Sequence, residues 1–153
     1  MNRIDVSVED LDPPPGLENV PPFCHKILDA LTLDNWEVSI VFCGNEFIRE
    51  LNREFRGKDE PTDVLSFSQG EGDDGFPAPK GEFTVAGDIV ISLDSLEETR
   101  REFSVEPGEE IKRLLIHGLL HLAGWDHGDD DPSGPMLRLQ EELLRTFAEE
   151  RVF

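Results

Sequence analysis

The chain has 153 residues and a mass of 17.3 kDa, the size of one domain, since single domains typically run about 100–200 residues. Apolar residues make up 37% and glycines number 13, enough for a packed core, which excludes a wholly disordered chain. The balance of 34 Asp and Glu against 14 Lys and Arg, a formal net charge of −20, disfavours tight non-specific binding of polyanions.

The chain carries no run of about 18 apolar residues that would cross a membrane. Its first stretch is acidic (Asp5, Glu9, Asp10, Asp12) where a leader would be basic and then apolar. Cys24 and Cys43 are too few for a disulfide framework and lie in apolar surroundings, so they read as buried thiols. A cytoplasmic protein with no membrane partner is the expectation.

Taken in order, Ile4, Val6 and Val8 alternate as in a half-buried strand. Pro21 and Pro22 suit the first turn of a helix running to about Leu31. Trp36 to Phe42 alternates again, and Gly44-Asn45 opens a helix with Phe47, Ile48, Leu51 and Phe55 at helical spacing. A polar loop, Arg56 to Pro61, leads to a short strand at Val64 to Phe67. Gln69 to Glu82, rich in Gly, Asp and Pro, reads as an exposed acidic insertion, followed by a central strand at Gly87 to Ser92. Helices are expected at Ser95–Phe103, Pro107–Leu122 and Gly134–Glu150. The order predicts one α/β (α+β) domain over 1–153, with a small mixed four-stranded sheet packed by about five helices and a metal site in a cleft.

The chemistry concentrates in three of the four histidines. His117 and His121 stand four apart in an apolar helical pattern, which stacks two imidazoles on one face a turn apart. Gly124 marks the end of that helix, and the turn through Trp125 and Asp126 can return His127 toward the same point. Three neutral nitrogens with a fourth position left to water is the pattern of a catalytic zinc site. The plainer alternative is a packed pair plus a surface histidine. Asp126 is the expected partner behind one imidazole, and Asp129 to Asp131 read as a solvated loop. In the zinc-protease motif His-Glu-x-x-His the Glu is the general base. Here that position is Gly118, whose expected reason is close backbone packing, and this weakens a metallopeptidase reading.

The segment from His117 to His127, His-Gly-Leu-Leu-His-Leu-Ala-Gly-Trp-Asp-His, resembles the signature of the YbeY family of bacterial rRNA maturation endoribonucleases. Leu51 to Phe67, Gly87 to Ser92, Met136 and Gln140 to Leu144 resemble further family blocks in the same order. The resemblance implies a zinc-dependent, single-strand-specific endoribonuclease that matures the 3′ end of 16S rRNA and takes part in ribosome quality control. It implies one Zn2+ per chain on His117, His121 and His127, and a functional arginine at Arg56. Trp125 stands where Tyr is more usual, and the 69–82 stretch is long and acidic.

A guanidinium at Arg56 can clamp the charge that develops on a phosphodiester in flight; the alternative is a structural pairing with Asp59 or Glu60. Arg53 and Lys58 are candidates for steering the RNA backbone. Between positions 49 and 58, four cations (Arg49, Arg53, Arg56, Lys58) face two carboxylates (Glu50, Glu54), a local charge of +2. The expected partners are single-stranded ribosomal RNA, the small ribosomal subunit and a basic ribosomal protein. The alternatives are a metallopeptidase-like hydrolase and a non-catalytic, metal-stabilised ribosome assembly factor.

Overall fold

Period-2 and period-3.6 apolar patterns each form the element they predict. The computed structural model describes residues 1–68, 84–125 and 134–152. Its strands are β1 (Arg3–Glu9), β2 (Trp36–Cys43), β3 (Val64–Ser68) and β4 (Thr84–Ser92). Its helices are α1 (Val20–Ala30), α2 (Asn45–Arg56), α3 (Leu93–Phe103), α4 (Pro107–Leu122) and α5 (Pro135–Thr146), with a short 3-10 turn at Leu17–Asn19. The mixed sheet has the order β1-β2-β4-β3. β1, β2 and β4 are parallel, and β3 closes one edge antiparallel to β4.

Alternation sends Val38, Ile40, Phe42, Ile89 and Ile91 to one face, where α1, α4 and α5 complete the main core. The opposite face holds a smaller cluster, in which Cys43, Leu65 and Val90 meet Ile48 of α2. Both cysteines are free and buried. Burial pushes each thiol up to about 12, with Asp10 and Asp94 adding to the effect at Cys43. Protonated thiols of this kind are core residues.

Three boundaries differ from the sequence expectation, each for a local reason. β4 begins at Thr84, and Gly87 lies inside it at a bulge where the register with β2 slips between Glu37 and Val38. Gly87 has φ +144°, and a Cβ there would stand 2.1 Å from the Phe67 carbonyl oxygen, so only glycine fits. α3 starts at Leu93 because the Ser92 hydroxyl accepts from Ser95 N at 3.2 Å. α5 ends at Thr146, before the expected Glu150, because the chain beyond it turns its carbonyls onto a buried lysine. Lys112 Nζ donates to the carbonyls of Phe147, Ala148 and Glu150 at 3.3, 3.0 and 3.0 Å.

The edge strand β3 has a defined polarity. Ser92 N donates to Asp63 O, so Asp63, Leu65 and Phe67 direct their backbone groups to β4. By antiparallel alternation, Val64, Ser66 and Ser68 direct theirs to the outer edge.

Candidate metal and phosphate site

α4 is apolar on nearly every side: Leu114, Leu115, Leu119 and Leu122 are buried, and it packs against α5, β3 and β4. Arg113, His117 and His121, spaced by four, form its partly exposed stripe. Between the two histidines Gly118 faces the sheet, where an added Cβ would stand 2.9 Å from two carbons of the fully buried Ile89. The expected backbone packing is therefore observed. A larger residue at 118 would push α4 off the sheet.

The imidazoles are already paired. His117 Nε2 and His121 Nε2 are 3.0 Å apart, with ring centroids 4.5 Å apart and planes at 80°. Two nitrogens on one tetrahedral zinc at about 2.0–2.1 Å would stand about 3.3 Å apart, so the pair fits such an ion after a small opening. Behind it, His117 Nδ1 lies 2.7 Å from Gln140 Oε1 on α5. Gln140 Nε2 donates to Glu141 Oε2 at 3.3 Å, which assigns Oε1 to the imidazole and makes Nδ1 the protonated nitrogen of His117. Its Nε2 lone pair then points at His121, the tautomer a metal ligand needs.

The network continues to charge. Arg113 reaches Glu141 at 3.2 Å, Glu110 at 2.9 Å and Glu109 at 3.4 Å. Burial pulls the Arg113 guanidinium down, but Glu141 and Glu110 more than offset this and hold it above its ordinary value. Burial raises the Glu141 carboxyl, yet Arg113 holds it below the usual carboxylate range.

Gln140, which the sequence reading left without a role, is the residue that contacts His117 from α5. It follows Met136 by four and precedes Leu143 and Leu144 on the buried side of α5. A polar side chain interrupting that apolar stripe was the available signal. The expected partner Asp126 and the third histidine, His127, lie outside the described residues. So do the insertion at 69–82 and Asp129 to Asp131. Among the described residues, no group of three His, Cys, Asp or Glu is placed to hold a metal ion.

Across β3 lies the second part. α2 ends in a Gly57 cap at φ +72°, with Gly57 N donating to Arg53 O and Lys58 N to Asn52 O. The loop after it is tied down twice: buried Asn52 donates to Glu60 O at 2.8 Å, and Arg49 takes Asp59 through Nε at 2.8 Å and Nη2 at 3.2 Å. The alternative pairing of Arg56 with Asp59 or Glu60 is thus not observed. Arg56 Nη2 instead donates to Ser66 O on the outer edge of β3 at 2.8 Å, and its guanidinium carbon stands 5.3 Å from the Phe67 ring centroid.

A pocket of about 370 Å³ beside it is lined by Asn52, Arg56, Lys58, Glu60 and Thr62 among others. Counting through Glu60, the cations Arg49, Arg53, Arg56 and Lys58 meet Glu50, Glu54, Asp59 and Glu60, four against four, so the local +2 does not persist. The strand joins the two parts. Ser66 pairs in register with Ile89, and Ile89 packs on Gly118 beside His117. Arg56 and the imidazoles are therefore held at one level of the sheet, on either side of its edge strand.

The fold and this arrangement define a class: a small mixed-sheet domain with its chemistry gathered on one long helix and the adjoining edge strand. The sequence profile of the family described as Endoribonuclease YbeY matches residues 18–148. A Treponema pallidum protein named Endoribonuclease YbeY is 48% identical over 145 residues, covering 94% of this chain and 89% of that one. A Treponema denticola protein of the same name is 46% identical over 154 residues, covering 99% and 97%. A solution structure from Thermotoga maritima superposes with a TM-score of 0.66 at 32% identity, covering 97% of this chain and 91% of that one. This chain belongs to the endoribonuclease YbeY family. Among the described residues no helix is long and apolar enough to cross a membrane.

Proposed function

We propose that this chain is a zinc-dependent endoribonuclease that cuts single-stranded RNA in the maturation of the 3′ end of 16S rRNA and in ribosome quality control, working in the cytoplasm on the small subunit. The observation that carries the reading is the imidazole pair, in which Gln140 turns the Nε2 lone pair of His117 toward His121, in a chain whose relatives are named endoribonucleases. His117, His121 and His127 would hold one zinc ion, with Asp126 behind it. When bound, such an ion lowers the pKa of water to about 7 and polarises a phosphoryl oxygen.

The remaining work falls to the protein's own groups. Gln140 fixes the ring of His117, and Glu141 fixes Gln140. Arg56 is anchored by one N–H on Ser66 O, which leaves its other donors for a phosphate oxygen. Arg53 and Lys58 steer the backbone toward it. Residues 49–60 balance to zero, so the formal net charge of −20 lies elsewhere in the chain, which suits docking on a basic ribosomal protein.

The test is incubation of the zinc-loaded protein and its His117→Ala variant with single-stranded RNA and with unstructured casein. RNA cleavage lost in the variant is expected. Casein cleavage with intact RNA would install a metallopeptidase. Binding to ribosomal particles without cleavage of either polymer would leave an assembly factor. The packing of position 118 against Ile89 already counts against a peptidase base there.

A further inference from the structure

The apolar row of α2 runs off the edge of the sheet. Ile48 is fully buried and Leu51 half-buried, but Phe55, one turn further, is 59% exposed. Its sequence spacing predicts a core residue. Its only ring partner among the described residues is Phe67, met edge-on at 5.5 Å and 65°. Phe67 in turn lies under the Arg56 guanidinium. An exposed ring is thus fixed on Phe67, which the Arg56 guanidinium also covers, and Arg56 and Lys58 line the pocket whose loop is pinned by Asn52 and Arg49.

A single exposed aromatic is ordinary on a protein surface, and Phe103 on α3 supplies the contrast. It is also exposed, but the arginines beside it, Arg100 and Arg101, are both committed to Glu97. At Phe55 the nearby carboxylate Asp59 is taken by Arg49, while Lys58 has no ion pair among the described residues. Aromatic rings flanked by cations bind single strands, because every base has a π-face and every linkage a phosphate.

We propose that the C-terminal end of α2 is a single-stranded RNA subsite, in which a nucleobase stacks on Phe55 and the adjoining phosphate sits between Arg56 and Lys58. The strand then crosses the outer edge of β3 to reach the imidazole pair on the other side. This rests on the endoribonuclease reading and adds a source for the single-strand preference: a base held in a duplex cannot turn its face to Phe55.

The experiment titrates the full chain with short oligoribonucleotides carrying 2-aminopurine at each position in turn, and measures cleavage of the same sequences. At one position the wild type should quench the fluorophore by stacking. Phe55→Ala should abolish that quench and weaken binding about tenfold, about 1.4 kcal/mol, with the loss falling on KM rather than kcat. Phe55→Trp should restore both, Phe103→Ala should change neither, and the thermal transition should stay put in all three. An abasic sugar at the quenched position should bring wild type and Phe55→Ala to equal affinity.

Phe55→Ala binding and quenching like wild type overturns the subsite while leaving the endoribonuclease intact. A Phe55→Ala defect that survives the abasic substitution overturns it as well, because the ring would then act without a base. Stacking at Phe55 in a protein that cuts no RNA would keep the subsite and sink the nuclease.

Discussion

The two sides of β3 hold their polar groups differently. In the seam between α4 and α5, each group is fixed by the next: Arg113 holds Glu141, Glu141 holds Gln140, and Gln140 holds His117. Arg113 is 25% exposed there. On the rim formed by α2 and β3, the ion pair Arg49–Asp59 stands with both side chains more than half exposed. The rim is tied mainly through backbone: Asn52 to Glu60 O, Arg56 to Ser66 O, and the Gly57 cap. A metal ligand must be placed within a few tenths of an ångström, which a partly buried chain of mutually bonded groups can do. A polymer of varied sequence needs cations and a ring that tolerate different bases, which suits the rim.

That contrast breaks most visibly at the histidines. His121→Ala should remove most bound zinc in elemental analysis and lower the thermal transition, since an ion that binds only the folded state stabilises it. Arg56→Ala should keep its zinc and lose RNA cleavage by about a hundredfold or more. If both variants lose zinc alike, the two regions are not separate devices. Full retention of zinc in His121→Ala would sink the histidine site. A smaller effect sharpens the comparison from behind His117. Gln140→Leu keeps volume and burial but removes the acceptor at His117 Nδ1, so zinc affinity should fall about 10- to 100-fold while the fold persists. Unchanged affinity would mean that the ring is held by packing alone.

The sequence showed the core of this arrangement and missed its supports. Periodicity found β1, β2, α2 and the long α4, because half-buried elements carry their period in the chain itself, while β3 and β4 were read from short apolar runs between turn signals. The spacing of His117 and His121 is a property of one helix, so it too was legible, and a glycine inside that helix signalled close packing without naming Ile89 as the partner. Gln140 was harder: its partner lies 23 positions away, and only the apposition of α4 and α5 gives it a role. The bulge at Gly87 depends on the carbonyl of Phe67 in a neighbouring strand. Arg56 was expected as a phosphate clamp, with pairing to Asp59 or Glu60 as the alternative; its observed partner, the Ser66 carbonyl on the outer edge of β3, depends on how α2 lies against that strand and is not written in the local sequence. The exposure of Phe55 follows from where the sheet ends, which periodicity along α2 does not encode.

The smallest effect separates the two carboxylates that anchor the regions. Glu141 and Asp59 are both held below their ordinary values: Glu141 by Arg113 against the penalty of burial, Asp59 first by its hydrogen bonds from Arg49. A carboxylate whose folded-state pKa is lowered contributes stability above its unfolded value, about 4.3 for Glu, and loses it as pH falls through the folded value. The Glu141 contribution should therefore be constant through neutral pH and vanish only in acid below the usual carboxylate range. Because Glu141 is still 43% exposed, screening keeps it under about 1 kcal/mol. In zinc-free protein, the stability lost on Glu141→Gln should be largest near pH 7 and should shrink as the pH falls below the usual carboxylate range. Asp59→Asn, on the exposed rim, should show no resolvable difference at either pH. A Glu141→Gln deficit that persists undiminished at low pH would mean that Glu141 acts by shape instead of charge, and the seam would then owe its order to packing like the rest of the core.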